Sequence, residues 1–218
     1  MTATINHHLT EDVLLAYSAG TLPEAFNLMV AAHLSLCDEC RARAEGFDVL
    51  GGALLDDDAA EDVSLGSDAL SQTLALIAGG APEQAPRKFV KDGILPQPIQ
   101  DYVGGDLDAI NWRPVGMGVK QAILSTSNEA SARLLYIPAG AAMPDHGHRG
   151  IEMTMVLKGA FLDDGERFAR GDVEMADCDL EHTPVADTGE ECICLAVSDA
   201  PLRFNSLIPR LGQPCLRI

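Results

Sequence analysis

Of the 218 residues, 33 are acidic and 15 basic, leaving a net charge of −18. Such a chain is repelled by nucleic acid and by anionic membrane surfaces, and suits a basic protein partner instead. Apolar residues make up 47%, which excludes a wholly disordered chain, and the length fits one or two domains.

The charge is unevenly spread: residues 1–85 hold fourteen acidic residues against Arg41 and Arg43, a net −12 of the total −18. Met1–Asn6 is polar and lacks the basic and apolar regions of a signal peptide. The longest apolar stretch, around residues 25–36, is too short to span a bilayer and contains Asn27 and His33. The expectation is a cytoplasmic protein. In a reducing cytosol its six cysteines do not form a disulfide framework.

In chain order, Thr10 is placed to cap a first helix over residues 11–19, with Glu11 and Asp12 in its first turn and Gly20 at its end. Thr21 is placed to cap a second, with Pro23 near its start and Leu22, Phe26, Met29, Val30 and His33 at helical spacing. A third helix is expected over residues 38–55, with Ala42, Phe47, Leu50 and Leu54 facing its neighbours. A fourth is expected over residues 67–78, with Leu70, Leu74 and Ile77 on one side and Gly79-Gly80 as its stop. Together they read as a small four-helix unit, marginal on its own core.

Within this unit lies His33-Leu34-Ser35-Leu36-Cys37-Asp38-Glu39-Cys40. Residues four apart on a helix lie one turn above each other, so His33 and Cys37 share a side and Cys40 extends the row. One imidazole and two thiolates suit Zn²⁺, whose structural sites take four tetrahedral N/S ligands. The fourth ligand is then His7 or His8. The competing readings are two small core cysteines beside a chance histidine, or a redox pair, which lacks the surrounding βαβ pattern. A structural zinc contributes ~10–16 kcal/mol in small finger peptides, and here would pin the start of the first helix to the second and third.

Residues 81–98 contain four prolines and read as a linker. From Ile99 onward short β-runs follow: residues 134–137, 151–157, 168–174, 192–197 and 204–208, separated by turns such as Asp163-Asp164-Gly165. That spacing predicts a sandwich or barrel. His146, His148 and Glu152 share parity, so on extended chain they can face one side. With His182 they form a second ligand set, suited to Zn²⁺, Fe²⁺ or Mn²⁺. Cys192 and Cys194 alternate on a strand and read as core residues, with a redox role as the alternative. Cys178 and Cys215 have no nameable partner.

Gly140, His146, His148, Glu152 and Gly159 match the first cupin motif, G-x₅-H-x-H-x₃-E-x₆-G, without a gap. Of the second motif Gly171 and His182 are kept, while Asp177, Asp179 and Ala186 replace the usual Pro, Gly and Asn. A helical H-x₃-C-x₂-C module followed by a cupin resembles the ChrR-type anti-sigma factors along essentially the whole chain. The resemblance rests on His8, His33, Cys37, Cys40, His146, His148, Glu152 and His182, and it selects His8 over His7 as the first zinc ligand. It implies a zinc-binding helical anti-sigma domain over residues 1–80, a linker over 81–98 and a cupin β-barrel over 99–218. It implies a cytoplasmic regulator, not an enzyme, that holds an extracytoplasmic-function sigma factor inactive. It also implies release of that factor under singlet-oxygen or peroxide stress, with the cupin as sensor and no direct contact with nucleic acid or membrane. The alternative is a cupin metalloenzyme, a dioxygenase or isomerase, with an accessory helical domain.

Overall fold

The computed structural model describes residues 4–56, 64–80, 90–144, 146–147, 149–176, 181–201 and 203–204, with only the backbone for His146, Glu181, Arg203 and Phe204. Helix α1, Glu11–Ser18, follows Thr10, whose backbone is extended but whose side chain makes no capping bond. Gly20 takes a left-handed φ of 67°, a conformation that costs glycine nothing. Thr21 does not cap the next helix as expected: its hydroxyl donates to Ala16 O, back at the end of α1. Pro23 occupies the cap position of α2, Glu24–Leu34. This helix is buried on most sides through Ala25, Phe26, Leu28, Met29, Val30, Ala32 and His33.

Helix α3, Asp38–Leu55, buries only its first half, through Cys40 and Ala44, with Phe47 partly covered. Ala42 is exposed, as are Val49, Leu50, Leu54 and Leu55, so the expected packing of Ala42, Leu50 and Leu54 does not occur. Ala42 lies on the opposite side of α3 from the buried Cys40 and Ala44; for Leu50 and Leu54 the reason is length. Eighteen residues span about 27 Å, whereas the eight of α1 cover about 12 Å. Helix α4, Ala69–Ala78, has no buried residue, and Leu70, Leu74, Leu76 and Ile77 all face solvent. The expected four-helix unit is therefore three packed helices and one without a partner among the described residues.

Part of the Pro-rich segment is ordered. Gln100 accepts from Val90 N and donates to the carbonyls of Val90 and Leu95. Asp106 accepts from the amides of Ile94 and Leu95. These bonds lead into α5, Gln97–Val103, with Pro98 in its first turn and Ile99 fully buried.

The remainder is β-structure. The strands are β1 Arg113–Gly116, β2 Val119–Leu124, β3 Ser131–Ile137, β4 His146–Gly147, β5 Glu152–Lys158, β6 Ala160–Asp163, β7 Glu166–Ala169, β8 Val173–Ala176, β9 Glu181–His182, β10 Val185–Ala186, β11 Cys192–Ser198 and β12 Arg203–Phe204. An antiparallel six-stranded sheet runs β1-β2-β3-β11-β5-β8, and two three-stranded sheets run β10-β6-β7 and β12-β4-β9. The run expected over residues 168–174 is broken by a turn into β7 and β8. Of the strand expected over residues 204–208, all but the backbone of Phe204 lies outside the described residues.

Alternation along the large sheet sends side chains to two cores. Leu134, Met153, Met155, Leu157, Leu195 and Val197 join Leu14, Met29, Val30, Leu95 and Ile99 in one cluster. Val156, Ile137, Cys192 and Cys194 join Phe161, Phe168 and Ala186 in another. Helix α2, backed by α1 and α5, thus covers the outer face of the sheet, and the second core fills the barrel. Strand β11 is buried on both faces, at all seven positions.

Candidate metal centres

His33 lies in the last turn of α2, which ends one residue later. The chain turns at Ser35–Leu36, with Leu36 N and Cys37 N both bonded to His33 O. Cys37 then caps α3, its sulfur accepting from Cys40 N at 3.4 Å. The expected row of ligands is therefore carried on a helix–turn–helix rather than on one helix. His8, on the segment before α1, completes the set with its Nδ1 3.3 Å from Cys37 Sγ and 3.5 Å from Cys40 Sγ. His8, His33, Cys37 and Cys40 offer ligand atoms that all lie within 4.8 Å of one another. His7 is turned elsewhere, its ring 4.2 Å from that of Phe168.

The chemistry of this group fits a tetrahedral N₂S₂ ion. His33 Nδ1 is bonded to Gly171 O at 2.9 Å, so it carries the proton and leaves a lone pair on Nε2. That Nε2 is buried without a hydrogen-bond partner, an arrangement costly for a polar atom unless a cation takes the lone pair. Burial drives the His33 pKa down to about 4, against the pull of the Gly171 bond, so the ring is neutral at physiological pH, as a ligand must be. Burial likewise pushes the Cys40 thiol up to about 11, opposed by a backbone hydrogen bond from Leu9. A bound dication reverses that balance and holds the sulfur as thiolate. The N-terminus of α3, beneath both sulfurs, favours the same charge.

The second group lies inside the barrel. Asp163 on β6, Glu174 on β8 and His182 on β9 place ligand atoms within 4.8 Å of one another. His182 Nδ1 is 2.5 Å from Asp163 Oδ2 and 3.9 Å from Glu174 Oε2, and the ring is buried. Burial, followed by the hydrogen bond to Asp163, raises the Glu174 pKa to about 9. Glu152 is raised by burial to about 7, with the Arg133 guanidinium pulling the other way. Three carboxyls, Asp163 buried and Glu152 and Glu174 partly so, beside one guanidinium form an arrangement that favours protons or a cation.

Of the residues expected here, Glu152 and His182 belong to this interior, and the backbone of His146 pairs in register with that of His182 between β4 and β9. His148, with Cys178 and Cys215, lies outside the described residues. Asp163 and Glu174 were not anticipated. Asp163 reads in sequence as the opening of a tight turn. Glu174 reads in sequence as one charge among apolar neighbours in a short strand, with nothing local to tie it to His182. Cys192 and Cys194 are buried with their sulfurs 3.4 Å apart. The Cys194 thiol is pushed up first by its bond to Cys192 and then by burial.

Among the described residues no helix is long and apolar enough to cross a membrane. The family model for the ChrR cupin-like domain matches residues 100–201. The anti-sigma-E factor ChrR of Cereibacter sphaeroides is 55% identical over 215 residues, covering 99% of this chain and all of that one. The crystal structure of Rhodobacter sphaeroides SigE in complex with the anti-sigma ChrR superposes with a TM-score of 0.78 at 52% identity, covering 90% of this chain and 100% of the matched one. Identity of that degree along the length of both chains means that the protein belongs to the ChrR family of anti-sigma factors.

Proposed function

We propose that this chain binds an extracytoplasmic-function sigma factor in the cytoplasm, holds it inactive, and releases it under singlet-oxygen or peroxide stress. The observation that carries the reading is 55% identity with an anti-sigma factor along nearly the whole chain, together with a solved relative in complex with its sigma factor. The surface supports it. Val49, Leu50, Leu54 and Leu55 on α3 and Leu70, Leu74, Leu76 and Ile77 on α4 are exposed, within residues 1–85, which carry most of the negative charge. Apolar faces rimmed by acid suit a basic partner that buries them. In this reading residues 1–80 form the sigma-binding module, 81–98 the connection, and 99–218 the sensor.

His8, His33, Cys37 and Cys40 would hold zinc in a closed structural site. His146, His148, Glu152 and His182 would hold Zn, Fe or Mn in the cupin, with Asp163 orienting His182 through Nδ1 and Glu174 supplying further negative charge. The role is regulatory, so the cupin metal would serve to sense rather than to turn over a substrate.

The test is a transcription assay with RNA polymerase and a SigE-type sigma factor, the kind held by the solved relative. Stoichiometric addition of the purified, metal-loaded chain should abolish sigma-dependent transcripts, and the two proteins should co-elute as a one-to-one complex. Undiminished transcription with no complex would refute the reading.

A further inference from the structure

The zinc-type group is not held by the helices alone. Two of its four ligands are fixed from behind by one turn of the barrel, Arg170-Gly171-Asp172 between β7 and β8. Gly171 O accepts from His33 Nδ1 at 2.9 Å. Asp172, with no solvent exposure, grips the segment that carries His8: its Oδ1 accepts from Asn6 N at 2.6 Å and His7 N at 2.9 Å. Val173 N adds a third bond, donating to His7 O at 3.1 Å. The other carboxylate oxygen of Asp172 accepts from Ala169 N at 2.8 Å and so holds the turn itself in shape. Arg170 ties the same turn to Leu157 O and, at 2.9 Å, to Ile94 O.

Gly171 is held at φ 92°, and a Cβ there would lie 2.6 Å from Ile5 Cδ1. The turn and the N-terminal segment are therefore in close contact as well as hydrogen-bonded. From Ile5 the segment runs over Gly171, past Asp172, to His8, and on to Leu9, whose backbone bonds to the Cys40 sulfur.

We propose that the Gly171–Asp172 turn of the cupin is a positioning element for the zinc site of the helical module. It fixes the tautomer and aim of His33 and the path of the chain into His8. Zinc retention then depends on a part of the barrel that contributes no ligand. This rests on the zinc reading of His8, His33, Cys37 and Cys40. Partners that orient metal ligands from behind typically contribute 10–100-fold to metal affinity.

The experiment uses the full chain loaded with Co²⁺. Its thiolate-to-cobalt charge-transfer band marks the His8, His33, Cys37, Cys40 site and must vanish in Cys37→Ser with Cys40→Ser. A wild-type chain without that band refutes the zinc reading itself, independently of the positioning role. Given the band, its decay after addition of excess chelator measures retention. Asp172→Ala should lose cobalt at least ~10-fold faster than wild type. Asp172→Asn keeps an acceptor for the amides of Asn6 and His7 and should restore most of the retention. Gly171→Ala, which pushes on Ile5, should also accelerate loss. Emission of the single tryptophan, Trp112, which packs edge-on to Tyr136 on the sheet, reports whether each variant folds. A folded Asp172→Ala that keeps cobalt as long as wild type overturns the proposal. If Asp172→Ala does not fold, a folded Gly171→Ala with wild-type retention overturns it instead.

Discussion

Cys37 has two roles that one thiolate can fill together. Its sulfur lies 3.3 Å from His8 Nδ1, and it receives the amide of Cys40 as the cap of α3. A serine there retains a capping oxygen but is a poor ligand for a borderline-soft ion. Cys37→Ser with Cys40→Ser should therefore remove one metal ion per chain by elemental analysis and leave any cupin metal in place. A double variant that retains its full metal content would show the helical site to be misassigned. These ligands were legible in the sequence because three of them fall within eight residues, where the local path of the chain decides their distances. Resemblance was needed to choose His8 over His7, and the structure shows why spacing could not. Both residues are on the same segment, and Asp172 and Phe168, from the far end of the chain, decide which ring turns inward. Asp163 and Glu174 were illegible for a related reason: they meet His182 only when β6, β8 and β9 close around the barrel interior.

At the level of elements, the sequence pattern locates α1 to α4 and the strands β3, β5 and β11, but not β2 and not what each element packs against. Leu50 and Leu54 recur at helical spacing, yet α3 outruns its neighbour and leaves them 54% and 69% exposed. A stripe in sequence records that a face will be buried and does not name the partner. Two adjoining elements, α3 and α4, display apolar stripes that the described chain does not cover. Leu50→Asp with Leu54→Asp should leave folding almost unchanged, since exposed substitutions usually cost within about 0.5 kcal/mol. Sigma binding should weaken by about 30-fold or more, the loss of an interface hot spot worth about 2 kcal/mol. Calorimetric titration of the sigma factor against both proteins checks this, and unchanged affinity would remove α3 from the interface. The short elements α5, β9 and β10 escaped the sequence reading because each is held by distant partners rather than by its own pattern. Gln100 and Asp106, for example, fold the chain before α5 back onto itself.

At the scale of the molecule, the helices and the sheet share one continuous core. Met29 and Val30 of α2 lie in the same cluster as Leu195 and Val197 of β11. The opposite face of β11 places Cys192 and Cys194 in the barrel. A change inside the barrel is thus one strand away from α2. Glu174 is two residues from Asp172, which grips the His8 segment. Any signal read in the cupin must alter the free energy of the sigma complex. Shifting that complex from 99:1 bound to 1:99 takes about 5.5 kcal/mol of differential interaction. Oxidising a metal ligand or displacing the ion can supply that much, because several bonds are lost together. The cupin residues should therefore govern release and not inhibition. Glu152→Ala and His182→Ala strains, at matched protein levels, should keep a sigma-dependent reporter silent without stress and blunt its induction under singlet oxygen. Full induction in both strains would sink the sensing role. Constitutive expression without stress would instead place the cupin among the elements that hold sigma, which the shared core makes physically feasible.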